Sequence, residues 1–294
     1  MPVKKVKKDK GKTKKIKPRK KKTDKLEEEK PKQETKKEER KEIVEEPRES
    51  SEEKVLEERP KIEIPEGWKP KTVLGKKVLA GEITDINNVF ASGTKIAEAP
   101  IVDILLPNLE KDVIFVGGST GKGGGIRRTP FKRTSRMHKS GRRYRMSVLA
   151  VVGNRNGYVG IGLASSPPGK HRESIEKATN KAKLNIIPVA RGCGSWECLC
   201  GSHHSIPFTV EGKSGSCIIK LIPAPKGIGL AVADEIKKIM NLAGISDVWC
   251  KSRGNTKMRI NFARAVFNAL KKLNIYKTRP DFEKKVSMKI GKVE

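Results

Sequence analysis

Apolar and polar positions change period several times along the second half of this chain. Two runs, YRMSVLAVVGN over 144–154 and GYVGIGLASS over 157–166, are dense in apolar and β-branched residues. They meet at Arg155 and Asn156, and Asn156-Gly157 is a strong hairpin signal because both residue types tolerate positive φ. The pattern predicts two antiparallel strands, with DVIFV over 112–116 as a strand before them. Over 171–185 the period becomes helical: Ile175, Ala178, Ala182 and Leu184 read as a core stripe, with Arg172, Lys177, Lys181 and Lys183 outside. A three-stranded antiparallel sheet covered by one helix is expected.

A second unit follows. Residues 206–212 and 216–225 predict a strand pair turned at Lys213–Gly215. GIGLAVADEIKKIMNLAG predicts a glycine-rich turn and a helix with Val232, Ile236, Ile239, Met240 and Ala243 inward, ended by Gly244. DVWCKS predicts a strand, and TKMRINFARAVFNALKKL a helix with Phe262, Val266, Phe267 and Leu270 inward. Before both units, the stretch from Thr72 predicts one or two short helices with Thr84 or Asp85 as a cap, and IVDILLP a short apolar piece stopped by Pro107. These are expected to pack on the outside of the following domain. The fold class is α+β.

Charge narrows the choice of partner. Lys and Arg number 65 against 34 Asp and Glu, a formal net charge of +31, so the free chain repels itself unless a polyanion neutralises it. Nucleic acid fits. A membrane surface does not, since there is no 18-residue apolar run and no amphipathic helix with a large Trp, Phe or Leu face. Residues 1–22 hold thirteen Lys or Arg and one acid, and 23–60 turn acidic. Apolar residues there are too sparse to offset ordering entropy, so 1–60 is expected to be a disordered charged tail. Its opening lysines lack the apolar core of a secretory signal. Five cysteines without an export signal point to a reducing compartment, the cytoplasm, and to thiols rather than disulfides.

Three constellations carry candidate chemistry. The first is the glycine-punctuated basic stretch 117–143, expected to be a long loop. In its KSGRR segment, glycine lets backbone amides approach a phosphate while guanidiniums donate paired hydrogen bonds to its oxygens. The upstream GIRRTPFKRTSRMH reads as an extra RNA finger with Arg127, Arg128, Lys132 and Arg133. GGSTGKGGG fails the nucleotide-loop template. The second is GIG at 227–229, a turn at a helix start whose amides could bind phosphate, with Lys226 ahead of it; Arg155 at the hairpin turn is a further candidate RNA-binding cation. The third is GCGSWECLCGSHH. Cys193, Cys198, Cys200 and His203, with His204 the alternative fourth ligand, are spaced C-x4-C-x-C-x2-H and can close tetrahedrally on one structural zinc ion with no open position for a water nucleophile. Cys217 and Cys250 are expected to be buried small hydrophobes. No catalytic set emerges; Asp234, Glu235 and Asp247 read as helix-dipole or capping acids.

The run GRRYRMSVLAVVGNRNGYVGIG, then KATNKAKLNIIPV, GKSGSCIIKLIPAPKGIGL, LAGISDVWCKSRGNT and INFARAVFNAL, resembles in order the universal ribosomal protein five of the small subunit, in its archaeal form, over about residues 68–275. The resemblance implies a double-stranded-RNA-binding-like β-β-β-α domain over 112–188 and a second α/β domain over 206–276. Around them lie an arm with short helices over 61–111, the Cys/His segment over 189–205 and a charged tail over 277–294. It implies a structural constituent of the small subunit that binds rRNA near the decoding site and the side on which mRNA enters. Neighbouring small-subunit proteins of families four and eight would be further partners. The family's loop between its first two strands matches Lys139, Ser140, Gly141, Arg142 and Arg143, which with Arg145 inherit the rRNA contacts. The alternative is an RNA-processing or RNA-modifying enzyme that uses the Cys/His cluster.

Overall fold

The computed structural model describes residues 68–120, 125–198 and 200–292; the expectation of a disordered tail over 1–60 lies outside the described residues. The chain enters through three short helices, α1 (Val73–Leu79), α2 (Ile86–Ala91) and α3 (Ala99–Leu105). Asp85, one of the two expected caps, occupies the N-cap position of α2 without a side-chain hydrogen bond, while Thr72 caps α1, its hydroxyl accepting from the Gly75 amide at 3.1 Å. Glu98, just before α3, accepts from Trp68 Nε1 at 2.9 Å and from the amides of Lys71 and Thr72 at 2.9 and 2.7 Å, which ties the arm to the helices. Val78, Ile86, Val89, Ile101 and Val102 then close over Tyr158 and Ile186 of the next layer.

That layer is a five-stranded sheet rather than the expected three. Its strands in chain order are β1 (Glu110–Ile114), β4 (Phe131–His138), β5 (Gly141–Gly153), β6 (Tyr158–Ser166) and β7 (Ile186–Pro188), with β2 (Gly117–Thr120) and β3 (Ile126–Thr129) forming a separate two-stranded ribbon. The long basic loop expected over 117–143 is therefore mostly strand. Charge did exclude this stretch from a core, but a strand needs only a ladder partner. β5 is 13 residues long; its second half pairs with β1 (Leu149 opposite Ile114) and its first half with β4 (Val148 opposite Phe131, Arg143 opposite Arg136). The β4–β5 ribbon thus satisfies its backbone while both of its faces stay wet.

α4 (His171–Leu184) lies across β5 and β6. Ala178 and Ala182 are buried, yet Leu184, expected in the core stripe, is 37% exposed, and Lys183, expected outside, is 5% exposed. At about 100° per residue, Leu184 is carried half a turn from Ala182. Lys183 faces α3 instead, where its Nζ meets Asp103 Oδ2 at 2.6 Å.

The second half contributes β8 (Ala190–Arg191), β9 (Val210–Ser214), β10 (Cys217–Pro223), β11 (Leu230–Ala231), α5 (Asp234–Ala243), β12 (Val248–Arg253) and α6 (Arg259–Leu273). Its sheet runs β11-β12-β10-β9. Ile236, Ile239 and Met240 of α5 and Phe262, Val266 and Leu270 of α6 share one core with Ile114, Leu149 and Val151 of the first sheet. Cys217 is fully buried and Cys250 half-buried, as expected for thiols used as small hydrophobes.

Residues from 277, expected to be a charged tail, form α7 (Pro280–Val286) and β13 (Lys289–Ile290), the latter pairing with β8. Their chemistry is helical: Pro280 opens the first turn, Asp281 and Glu283 sit there, and Lys284 and Lys285 sit in the last, complementing the dipole. Arg191 on β8 is buried and donates to Asn156 Oδ1 at 2.7 Å, the Gly291 carbonyl at 3.2 Å and the Gly244 carbonyl at 3.4 Å, joining the hairpin turn, the C-terminal strand and the end of α5.

Candidate nucleic-acid interface and Cys/His cluster

The β4–β5 ribbon turns tightly at Lys139 and Ser140, with His138 opposite Gly141 and Gly141 at φ 102°. A side chain at Gly141 would strain that left-handed position, which is why the turn needs glycine there. Cross-strand register sets Arg136 opposite Arg143 and Thr134 opposite Arg145. Like charges directly opposite one another repel, by a few tenths of a kcal/mol or more, and residues 113–172, which include the whole ribbon, contain no Asp or Glu to offset them locally. A polyanion relieves that repulsion. Arg133 stacks over the Tyr144 ring, 5.0 Å from its centroid, and Arg143 donates to Ser140 Oγ at 3.2 Å. These contacts pre-order two guanidiniums. Thr134, Ser135, Arg136, His138, Arg143, Tyr144 and Arg145 line a shallow cleft of about 460 Å³.

The structure gathers Lys132, Arg133, Lys139, Ser140, Gly141, Arg142, Arg143 and Arg145 on this one ribbon and adds Arg136 to them. Arg127 and Arg128 are exposed on β3 of the neighbouring ribbon. Arg155 stands apart: its guanidinium is committed to Glu110, with Nε at 2.9 Å and Nη2 at 2.8 Å from Oε2. Lys226 is exposed on the loop after β10, but the amides of Gly227 and Gly229, expected to be open to phosphate, both donate to Asp247 Oδ1. An internal carboxylate fills the anion site that this turn makes.

A second centre forms where the chain folds back after β8. An isolated bridge pairs Gly192 with Ser205 and brings Cys193 beside His204. The donor atoms of Cys193, Cys198, Cys200 and His204 all lie within 4.8 Å of one another. His203 is not among them. The chain bends at His203 and His204 just before the bridge at Ser205, and of the two rings it is that of His204 that comes to the cysteines; His203 Nδ1 is buried without a hydrogen-bond partner. His204 Nε2 lies 3.9 Å from Cys198 Sγ, and its Nδ1 lies 2.8 Å from Asp247 Oδ2. Burial pushes the Cys193 thiol up, whereas the hydroxyl and amide of Ser202 hold the exposed Cys200 thiol down to about 6. Asp247, expected to be a dipole or capping acid, is 3% exposed and hydrogen-bonds the His204 ring.

The family model for ribosomal protein S5, N-terminal domain, matches residues 130–190, and that for its C-terminal domain matches residues 212–284. The chain is 49% identical over 219 residues to the small ribosomal subunit protein uS5 of Nanoarchaeum equitans, covering 74% of this chain and 93% of that one. It is 47% identical over 229 residues to the protein of the same name from Methanocaldococcus jannaschii, covering 77% and 96%. With that of Thermofilum pendens it is 49% identical over 208 residues, covering 70% and 93%.

Proposed function

Because this chain belongs to the ribosomal protein S5 family, a family of structural and not catalytic proteins of the small ribosomal subunit, we propose that its β4–β5 ribbon is the part that grips rRNA. The observation that carries this reading is a two-stranded ribbon with cations on both faces, within a span of sixty residues, 113–172, that holds no acid. Such a ribbon neutralises phosphates from two sides and donates fork-like hydrogen bonds through Arg136, Arg142, Arg143 and Arg145. The rRNA lies near the decoding site, on the side where mRNA enters, with proteins of families four and eight as neighbours; membership of the family supports this placement. The alternative of an RNA-modifying enzyme is set aside by the same membership. The test is charge reversal, Arg142→Glu with Arg143→Glu, in cells that depend on this protein. Subunits should assemble slowly or misread codons more often; wild-type sedimentation profiles and miscoding rates would refute the assignment.

The Cys/His cluster is proposed to hold one structural zinc ion through Cys193, Cys198, Cys200 and His204. Three thiolates and one imidazole suit zinc, and ligand atoms around a tetrahedral zinc stand about 3.5–3.8 Å apart, close to the 3.9 Å between Cys198 Sγ and His204 Nε2. A complete set of protein ligands leaves no place for a reactive water, so the ion serves the fold. Elemental analysis of protein purified without chelator should give one zinc per chain; metal-free protein would refute it.

A further inference from the structure

The Cys/His cluster and the glycine loop after β10 converge on one buried carboxylate. Asp247 places Oδ2 2.8 Å from His204 Nδ1, while its Oδ1 accepts from the amides of Gly229 at 2.7 Å and Gly227 at 3.1 Å. The backbone doubles the link, since the amides of Ser246 and Asp247 both donate to the His204 carbonyl, at 2.8 and 3.1 Å. A carboxylate at Nδ1 keeps the ring proton on that nitrogen and leaves the Nε2 lone pair facing the cysteines, the tautomer and the orientation that a metal ligand needs. On the other side of the carboxylate, Gly227 and Gly229 are both left-handed, at φ 94° and 76°, and hold exposed Lys226 at the loop's start.

We propose that Asp247 is a positioning residue that makes His204 a metal ligand with one oxygen and, with the other, couples occupancy of the metal site to the geometry of the Lys226–Gly229 loop. The inference rests on the zinc reading above and adds a consequence to it. With metal on Nε2 the imidazole is fixed and polarised, Nδ1–H donates more strongly, and Asp247 stays where it can hold both glycine amides. Without metal the ring loses its Nε2 restraint, Asp247 keeps only its glycine-amide and backbone contacts, and the loop is held less firmly. The surface that the ion organises is thus a cation-bearing loop, in addition to the cysteine segment itself.

The full-length protein, stripped by chelator and titrated with cobalt(II) as the probe, tests this through the absorption of thiolate-bound cobalt and through amide exchange followed by NMR. Asp247→Asn should weaken cobalt binding by about 10–100-fold, the range found when such partners of ligating histidines are removed. In the unmutated protein, stripping the metal should raise exchange at the Gly227 and Gly229 amides at least tenfold while the amide of Ile219, in the middle of β10, stays protected. A variant that folds and binds cobalt within twofold of the unmutated protein, or loop exchange indifferent to metal, overturns the coupling while the metal site stands. Unmutated protein that takes up no cobalt overturns both. Should Asp247→Asn fail to fold, the exchange comparison on the unmutated protein decides alone.

Discussion

Single residues decide where charge is tolerated inside this protein. Lys183 is buried at the seam between α4 and α3, its ammonium 2.6 Å from Asp103. Removing Asp103 strands a buried cation, so Asp103→Ala should cost about 2–3 kcal/mol, read as a shift of the denaturation midpoint, because the desolvation of Lys183 is no longer offset. The double change Asp103→Leu with Lys183→Met should recover most of that loss; a double variant no more stable than Asp103→Ala would show that the pair matters through packing rather than charge. The sequence hid this pair, since a lysine amid other lysines on a helix reads as solvated until a partner 80 positions away is known. The same holds at the Cys/His cluster. Three cysteines within eight residues were legible from their spacing, but the choice of His204 over His203 depends on the Gly192–Ser205 bridge, and Asp247 lies 43 positions from the histidine it orients.

Helices and strands approach each other through glycine in both halves. A Cβ on Gly162 would lie 2.1 Å from the Ala178 carbonyl oxygen, and one on Gly212 would lie 2.0 Å from that of Ala265, so α4 on β6 and α6 on β9 rest directly on backbone. Gly162→Ala should push α4 away and destabilise the protein by about 3 kcal/mol, the upper range for overpacking a tight interface, measured by urea denaturation; a loss under about 0.5 kcal/mol would mean that the helix slides freely. The arm gives a pH test. Burial pushes the Glu98 carboxyl up, but the amides and hydroxyl at Thr72, the Lys71 amide and the Trp68 indole together outweigh it and hold the group below 4.5. A carboxylate favoured by folding contributes above its unfolded pKa and stops contributing as pH falls through its folded pKa. The arm should therefore stay docked down to about pH 4.5, the ordinary value of the group, and come loose in more acid solution, followed by the fluorescence of Trp68 against a Glu98→Gln control that shows no such step. At this scale the sequence was legible wherever apolar period and length agreed, as in β5, β6, α5 and α6. It was opaque over 126–138, where a strand with two wet faces carries no alternation to read.

Across the described residues, the two halves recognised as separate domain families share one core, and the C-terminal strand returns to pair with β8, so the cationic β4–β5 ribbon stands on a braced platform. No local pattern announces a pairing across 98 or more positions, which is why the last residues read as a tail. The formal charge of +31 for the full chain says only that a polyanion is near; the proposal that the ribbon grips it is a separate statement, and salt dependence separates the two. If Arg133, Arg136, Lys139, Arg142, Arg143 and Arg145 each neutralise a phosphate of an rRNA fragment, log K should fall with log salt at a slope of about 4–5, a loss of roughly three decades between 50 and 200 mM. Diffuse attraction to the whole charge would spread the slope over many lysines, and no two would matter much. A localised ribbon behaves otherwise: Arg142→Glu with Arg143→Glu should lower the slope by about 1.4–1.8, the share of two phosphates, whereas reversing two exposed lysines of α6, Lys271 and Lys272, should leave it nearly unchanged. Equal effects from the two pairs would show that net charge, and not the ribbon's geometry, holds the RNA.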